Sequence, residues 1–464
     1  MLERAIDDYH HLLNDETART TQAQLTEMQR TQHLFFGDRP LCSVLRPRLM
    51  TAAHYALLQQ GVGTVVAALQ KLGDTLLATP ALRADLALTP QEEALIAIDP
   101  GYPTHSAHSR MDTFLTVDGR SLRFVEFNGE SPAAIAYEDE LATLFLDLPV
   151  MHQFARQYDL RALPARRRLL DTLLDAWHAA GHSRTPTIVI LDWKGLPTHS
   201  EFLLFRSYFA EQGIDAVICT PNDLVYRNGQ LFATSYESLT PRTGDFPIDI
   251  VYKRVLTSEL LMHYGDGALD HPLIHAYTAG AVVMVNSFRA KLLHKKAIFA
   301  LLTHEEFAGH FTAEEQAAIA AHVPWTRVVR AGQTTYQGGQ IDLLNFARRN
   351  RDRLVLKPND EYGGKGVLIG WETSADLWDA ALAEAVRTPS IVQERVEIAY
   401  EMFPAMIDGT LQIARRLVDT DPFTFGSEVQ GSLCRLSTVT LLNVTAGGGS
   451  TAPVFIVDPK GSAV

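Results

Sequence analysis

Apolar residues recur along this chain in two rhythms, and the changes of rhythm divide it. From Met50 to Gly73 (TAAHYALLQQGVGTVVAALQKLG) they fall at helical spacing, and Leu88 to Ile98 opens with a threonine cap and glutamates in its first turn. Residues 1 to about 95 therefore read as helices. From about 110 the period shortens. DTFLTVDG from Asp112 and SLRFVEFN from Ser121 alternate apolar and polar positions on either side of Val117-Asp118-Gly119-Arg120, which predicts a hairpin. Roughly 134–181 returns to a helical pattern. Residues 186–254 then run strand (TIVILD from Thr187), helix (EFLLFRSYFAEQG from Glu201), strand (DAVICT from Asp215), an Asn-Gly hairpin (LVYRNGQLFA from Leu224) and strand (IDIVYKR from Ile248). That order predicts an α/β sandwich around a partly parallel sheet. AVVMVN from Ala281 reads as a strand, KLLHKKAIFALL from Lys291 as a helix, and the last third alternates strands, helices and glycine turns. No internal repeat or low-complexity linker interrupts the pattern.

Composition narrows the function classes. A chain of 464 residues, 46% hydrophobic and 20% charged, has room for two or three domains with full cores. A formal charge of -13 argues against a general nucleic-acid binder, which needs a basic face. The basic runs at Arg166-Arg167-Arg168 and Arg348-Arg349-Asn350-Arg351 lie in helix-like contexts and read as solvated surface. Cys42, Cys219 and Cys434 have no paired spacing, as expected of a reducing compartment. The first residues, MLERAIDDYHHLLNDE, are charged and unlike a secretory signal, and no apolar run approaches the ~20 residues that span a bilayer. A soluble, cytoplasmic protein is expected.

The chemistry concentrates in two places. In RLVLKPNDEYGGKGVLIG, from Arg353 to Gly370, Lys357 ends an apolar run and precedes a Gly-Gly-Lys-Gly turn. This is not a P-loop, because the residue after Lys365 is Gly366 and a strand, not a helix, follows; GxGxxG is also absent. Strand, glycine turn and strand predict a hairpin lid whose backbone could close over a triphosphate while Lys357 reaches phosphate oxygens. A solvated surface hairpin is the plain alternative. The strand-like run SIVQERVEI from Ser390 could offer backbone groups to a nucleobase.

A triphosphate also needs a divalent cation, which wants one or two carboxylates plus an amide or water. The segment after the lid offers no tidy set. SRMDTFLTVDGRSLRFVEFNGESP, from Ser109, does: Glu126 and Asn128 are two apart on one predicted strand and share a face, as do Arg110 and Asp112 on the preceding strand. An Arg110–Glu126 ion pair on an exposed sheet would explain the same residues without a cation.

Taken together, these segments resemble the circularly permuted ATP-grasp family, whose relatives include the glutathionylspermidine synthetases. In that family the metal hairpin precedes the lysines, the order found here. Arg110-x-Asp112 with Glu126-x-Asn128 is similar to its magnesium hairpin. IDIVYKRVL with Arg254 resembles the end of its pre-ATP-grasp domain, and VMVNSFRAKLLHKKAIFALL with Lys296 the segment carrying its first ATP lysine. RLVLKPNDEYGGKGV carries the second lysine and the lid, and SLCRLSTVTLLNVTAGGGSTAPVFIV is similar to the closing segment. The resemblance spans roughly residues 40–457. It implies an α/β, α+β multidomain fold: an N-terminal helical segment (1–95), a permuted ATP-grasp part with the metal hairpin (96–182), a Rossmann-like pre-ATP-grasp domain (183–290) and an ATP-grasp domain with lysines, lid and closing segment (291–464). The closing run Gly447-Gly448-Gly449-Ser450 continues as Thr451-Ala452-Pro453, where relatives carry charged residues. No amidase-like domain of the glutathionylspermidine synthetase kind is seen.

The resemblance also implies roles. Asp112, Glu126 and Asn128 would hold Mg²⁺; Lys296, Lys357, Lys365 and the lid glycines Gly363, Gly364 and Gly366 would face the phosphates of ATP; Gln393, Glu394 and Val396 would hold adenine. Arg110, with Arg254 and Arg435, would stabilise charge at the reacting carboxylate. The activity implied is ATP-dependent joining of a small-molecule or peptide carboxylate to an amine through an acyl phosphate, with no nucleic acid or membrane partner. An ATP-binding scaffold without turnover and an ATP-grasp kinase are the alternatives. His304, Glu305, Glu306 and His310 miss the HExxH spacing because position 308 is alanine, and no Gly-x-Ser-x-Gly elbow occurs. Trp325 reads as a core or interface aromatic.

Overall fold

The computed structural model describes residues 1–439 and 449–461. Strands Ile188–Leu191, Ala216–Cys219, Ile250–Lys253 and Val283–Val285 form a parallel sheet in the order Val283, Ile250, Ile188, Ala216. The pattern predicted this unit, and the sheet shows why its strands are uniformly apolar. Ile188, Ile190, Ile250 and Tyr252 pack on one face, against Phe202, Phe205 and Phe209. Val189, Leu191, Val217 and Val251 face the other core, with Leu260 and Leu273. A strand covered on both sides has no face to give to water. The Asn-Gly hairpin forms as expected, with Asn228 and Gly229 both left-handed (φ 52° and 76°) between Leu224–Arg227 and Gln230–Ala233.

A larger antiparallel sheet carries the charged hairpin. Its order is Gly449–Thr451, Glu428–Ser437, Thr410–Phe425, His108–Leu115, Leu122–Asn128, and Tyr400–Ile407 also pairs with Thr410–Phe425. A third sheet, in the order Thr326–Val328, Ser390–Glu394, Leu354–Pro358, Leu368–Ile369, carries the predicted lid hairpin. The 27-residue helix Ala52–Ala78, capped by the Thr51 hydroxyl accepting from His54 N–H, buries Leu58, Val62, Val65 and Leu69 beneath these elements.

The structure departs from the sequence pattern at Tyr158–Ala162. These residues lie in the stretch read as helical, yet they form a strand against Val454–Pro459, which also pairs in parallel with Arg48–Met50. A strand this short is selected by its partners, and those partners stand about three hundred residues away. Among the described residues, no helix is long and apolar enough to cross a membrane.

Candidate functional site

The charged hairpin pairs in a register that sets Arg110 opposite Asn128 and Asp112 opposite Glu126, with an irregularity just after Asp112. Asp112 is the hub. Its Oδ1 accepts from Arg110 Nε at 2.9 Å and from Asn128 Nδ2 at 2.7 Å, and its Oδ2 accepts from Arg435 Nη2 at 2.7 Å. Burial alone would raise this carboxyl, but the two guanidiniums outweigh it and hold it at about 2. The Arg110–Glu126 pair considered from sequence does not form. Arg110 turns to Asp112 on its own strand, and Glu126 Oε1 lies 2.8 Å from Lys296 Nζ.

Arg435 stands at the centre of this cluster. It follows Asp112 round to two carboxylates the sequence reading missed, with Nη2 2.6 Å from Asp419 Oδ2 and 2.9 Å from Asp421 Oδ2. Asp421 Oδ1 also accepts the Thr113 N–H at 2.9 Å. The signal was present: Asp419 and Asp421 are two apart on one strand, the same parity argument that singled out Glu126 and Asn128. One guanidinium facing three buried carboxylates cannot satisfy all of them. Burial, with repulsion from Asp112 and Asp419, pushes Asp421 well above the usual carboxylate range despite Arg435.

Two lysines close the site from other elements. Lys296 Nζ reaches Glu126 and donates to the Glu361 carbonyl at 2.5 Å. Lys357 Nζ donates to Val125 O at 2.9 Å and Gln393 Oε1 at 2.8 Å. Burial lowers Lys357 to about 8, with Glu126 opposing and Lys296 adding to the fall. Gln393 was expected at the adenine, but its side chain is engaged inside the sheet, holding Lys357 and donating to Thr326 Oγ1 at 3.1 Å. It alternates inward on its strand, which the sequence, silent on which face Lys357 takes, did not fix.

The lid is a hairpin whose turn uses left-handed backbone at Gly363, Gly364 and Gly366 (φ 64°, 76° and 72°). A Cβ on Gly366 would lie 2.7 Å from Pro358 Cγ. Lys365 is exposed and pairs with Glu361 at 3.2 Å, and Tyr362 Oη donates to Glu259 at 3.0 Å, tying the lid tip to helix Thr257–Tyr264. Beyond the lysines opens a cleft of about 820 Å³ bordered by Glu394, Val396, Arg123, Trp325 and Tyr336. Trp325 is thus half-buried at a cleft wall, stacked edge-on with Tyr336 and donating its indole N–H to Thr335 O. Glu394 accepts from Tyr336 and Arg353.

Arg254 is not part of the Asp112 cluster. It is buried behind it, donating to Pro132 O, while Arg110 donates to the next carbonyl, Ala133 O, at 3.3 Å. A further residue the sequence did not flag, Asn286, bonds Ala107 N, His108 N and O, Gly129 O and Glu130 O, fixing both ends of the charged hairpin against the parallel sheet. Gly447 and Gly448 lie outside the described residues; Gly449 pairs with Ser437.

The donor set suits a hard cation. Asn128 uses its NH₂ on Asp112, which leaves its carbonyl oxygen as an acceptor beside the Glu126 carboxylate. Among the described residues no group of three His, Cys, Asp or Glu is placed to hold a metal ion by itself.

Comparison with known proteins shows the family. The family described as circularly permuted ATP-grasp type 2 matches residues 123–437. An uncharacterized protein of Mycobacterium tuberculosis is 27% identical over 458 residues, covering 92% of this chain and 75% of its own length. A Frankia alni protein named putative glutamate–cysteine ligase 2-3 is 26% identical over 211 residues, 44% of this chain and 23% of its own. A glutathione synthetase-like effector from Globodera pallida shares the fold, with a TM-score of 0.59 at 13% identity over 96% of this chain and 99% of its own.

Proposed function

The chain belongs to the circularly permuted ATP-grasp family, type 2, and from that premise we propose that it is an ATP- and Mg²⁺-dependent ligase joining a carboxylate to an amine. The observation that carries the proposal is the convergence of both lysines on one hairpin strand. Lys296 meets Glu126, and Lys357 meets the neighbouring Val125 carbonyl, from segments 170 and 232 residues further on. A hairpin whose two carboxylates, Asp112 and Glu126, gather two ammonium groups and two guanidiniums suits a polyphosphate whose charge must be neutralised and aligned. The name of the Frankia alni relative points to the same class of reaction.

In this reading the substrate carboxylate attacks the γ-phosphorus of ATP, giving an acyl phosphate and ADP. The amine then attacks the acyl carbon, and inorganic phosphate leaves with formation of the amide. Lys296 and Lys357 hold phosphate oxygens, and the left-handed glycines let the lid backbone approach them. Arg110 and Arg435 face the reacting carboxylate, where charge grows on the acyl oxygen; Arg254 fixes the Pro132–Ala133 loop that Arg110 also contacts. Glu394 and Val396 border the adenine cleft, and Gln393 orients Lys357. Asp112, Glu126 and Asn128 would hold Mg²⁺, which when bound shields the triphosphate. Lid closure over Gly363–Gly366 excludes water from the acyl phosphate. The three unpaired, buried cysteines suit a reducing, cytoplasmic setting.

The test is ADP release with Mg²⁺ and ATP over pooled amino acids, short peptides and polyamines, with Lys357→Ala and Glu126→Ala as blanks. ADP formed with a pool and lost in both variants supports the ligase. ATP binding without turnover in any pool favours a scaffold, and no ATP binding at all ends the reading.

A further inference from the structure

Lys291 and Lys295 stand four apart, one helical turn, immediately before Lys296. Both are buried, at 1% and 3% exposure, and a buried ammonium needs a partner. Their shared partner is Asp360, whose carboxylate accepts from Lys291 Nζ at 2.7 Å and Lys295 Nζ at 3.0 Å. Asp360 belongs to the root of the lid, three residues before Gly363. The residues on either side of it are stitched to the same segment. Lys296 N–H donates to Asn359 O at 2.9 Å, Ala297 N–H donates to Asn359 Oδ1 at 2.8 Å, and Lys296 Nζ donates to Glu361 O. Five contacts thus join 359–361 to 291–297, two elements that the chain separates by more than sixty residues.

We propose that Asp360 is a positioning residue for nucleotide binding: gripped by Lys291 and Lys295, it fastens the lid root to the Lys296 segment, so that lid and lysine approach the phosphates as one body. The inference rests on the ATP-grasp ligase reading and goes beyond it, since it gives a role to a residue outside the set that reading places on ATP and Mg²⁺. The geometry explains why the grip is made of ions. A phosphate competes with Glu126 and the Glu361 carbonyl for the Lys296 ammonium, so those bonds are the ones weakened in the bound state. The contacts of Lys291 and Lys295 with Asp360 lie one layer behind and persist. The same layer reaches the metal hairpin: Glu130, two residues past Asn128, receives Lys253 at 2.8 Å and lies 3.6 Å from Lys291. Burial alone would raise Asp360, but Lys291 and Lys295 hold it below the usual carboxylate range, so the grip is ionised at neutral pH.

Asp360→Asn tests this without unfolding the chain, because both lysines keep carboxylate neighbours. Lys295 stays 2.9 Å from Glu92, and Lys291 lies 3.7 Å from Glu92 and 3.6 Å from Glu130. Two readouts are needed: hydrogen exchange at the Lys296 and Ala297 amides, and calorimetric binding of Mg²⁺ with adenylyl imidodiphosphate. The expected result in Asp360→Asn is at least tenfold faster exchange at those two amides, roughly tenfold weaker nucleotide binding, and recovery of most of both in Asp360→Glu. A wild type that binds nucleotide while Asp360→Asn changes neither readout overturns the positioning role alone. Faster exchange in the variant combined with no nucleotide binding by the wild type overturns the role through failure of the ligase reading itself. Equal losses in Asp360→Glu and Asp360→Asn would also overturn it, since charge at that point would then not matter.

Discussion

Lys357→Met removes one buried ammonium, and the surroundings of that ammonium predict two opposite effects. Burial brings Lys357 from 10.5 to about 8, so its charged form is about 3 kcal/mol less favourable there than in water. The nucleotide-free protein therefore carries a strained charge. Its removal strands Gln393 Oε1 and the Val125 carbonyl, at about 1–3 kcal/mol in all, which roughly cancels the relief. Folding stability should change by no more than about 1–2 kcal/mol. Nucleotide binding should collapse, because an ammonium about 4 Å from a phosphate at an effective dielectric of ~20 gains about 4 kcal/mol. Allowing for screening, a loss of about 2–4 kcal/mol is expected, roughly thirty- to several-hundred-fold in Kd. The pH dependence follows with a definite sign. In the free wild type, Lys357 loses its proton near pH 8, so nucleotide affinity is full below that pH and falls by up to about tenfold per unit above it. Stability of the free protein moves the other way: between about 8 and 10.5 the unfolded chain holds the extra proton, and the burial cost present below pH 8 is progressively relieved. Calorimetric titration with Mg²⁺ and ATP from pH 7 to 9.5, in wild type and Lys357→Met, measures the affinity loss and its pH dependence. A flat wild-type profile, together with a variant within threefold of wild type, would refute the reasoning.

Two further outcomes are expected. Arg435→Met leaves Asp419 and Asp421 buried without their cation and should destabilise the fold by about 3–5 kcal/mol at pH 7.5. Because those orphaned carboxyls bind protons more readily folded than unfolded, the deficit should shrink at pH 5.5 in urea titrations; an equal deficit at both pH values would show that charge is not the cause. Gly366→Ala forces an L residue to φ 72° with its Cβ against Pro358, a strain of about 1–2 kcal/mol confined to the lid. Thermal unfolding should barely move while ADP release slows, and a shifted melting midpoint with unchanged turnover would locate the strain outside the lid.

How much of this was legible along the chain depends on the range of each signal. Period-two alternation put Arg110 with Asp112 and Glu126 with Asn128 on common faces, and the hairpin register bears that out. The uniformly apolar strands of the parallel sheet and the glycine turn of the lid are equally local, since burial on two faces and positive φ are demands a short segment states by itself. The same parity rule would have found Asp419 and Asp421, but nothing nearby marked that face as charged, because their cation is on the next strand. The tertiary structure alone decided the rest. It turned Glu126 to Lys296 in place of Arg110, bent Gln393 from the cleft to Lys357, and drew Tyr158–Ala162 out of a helical pattern into a strand. Each of these is a choice among partners far apart in sequence. A charge or a strand edge advertises that it needs a partner, but which one it takes is set by the packing that brings them within reach.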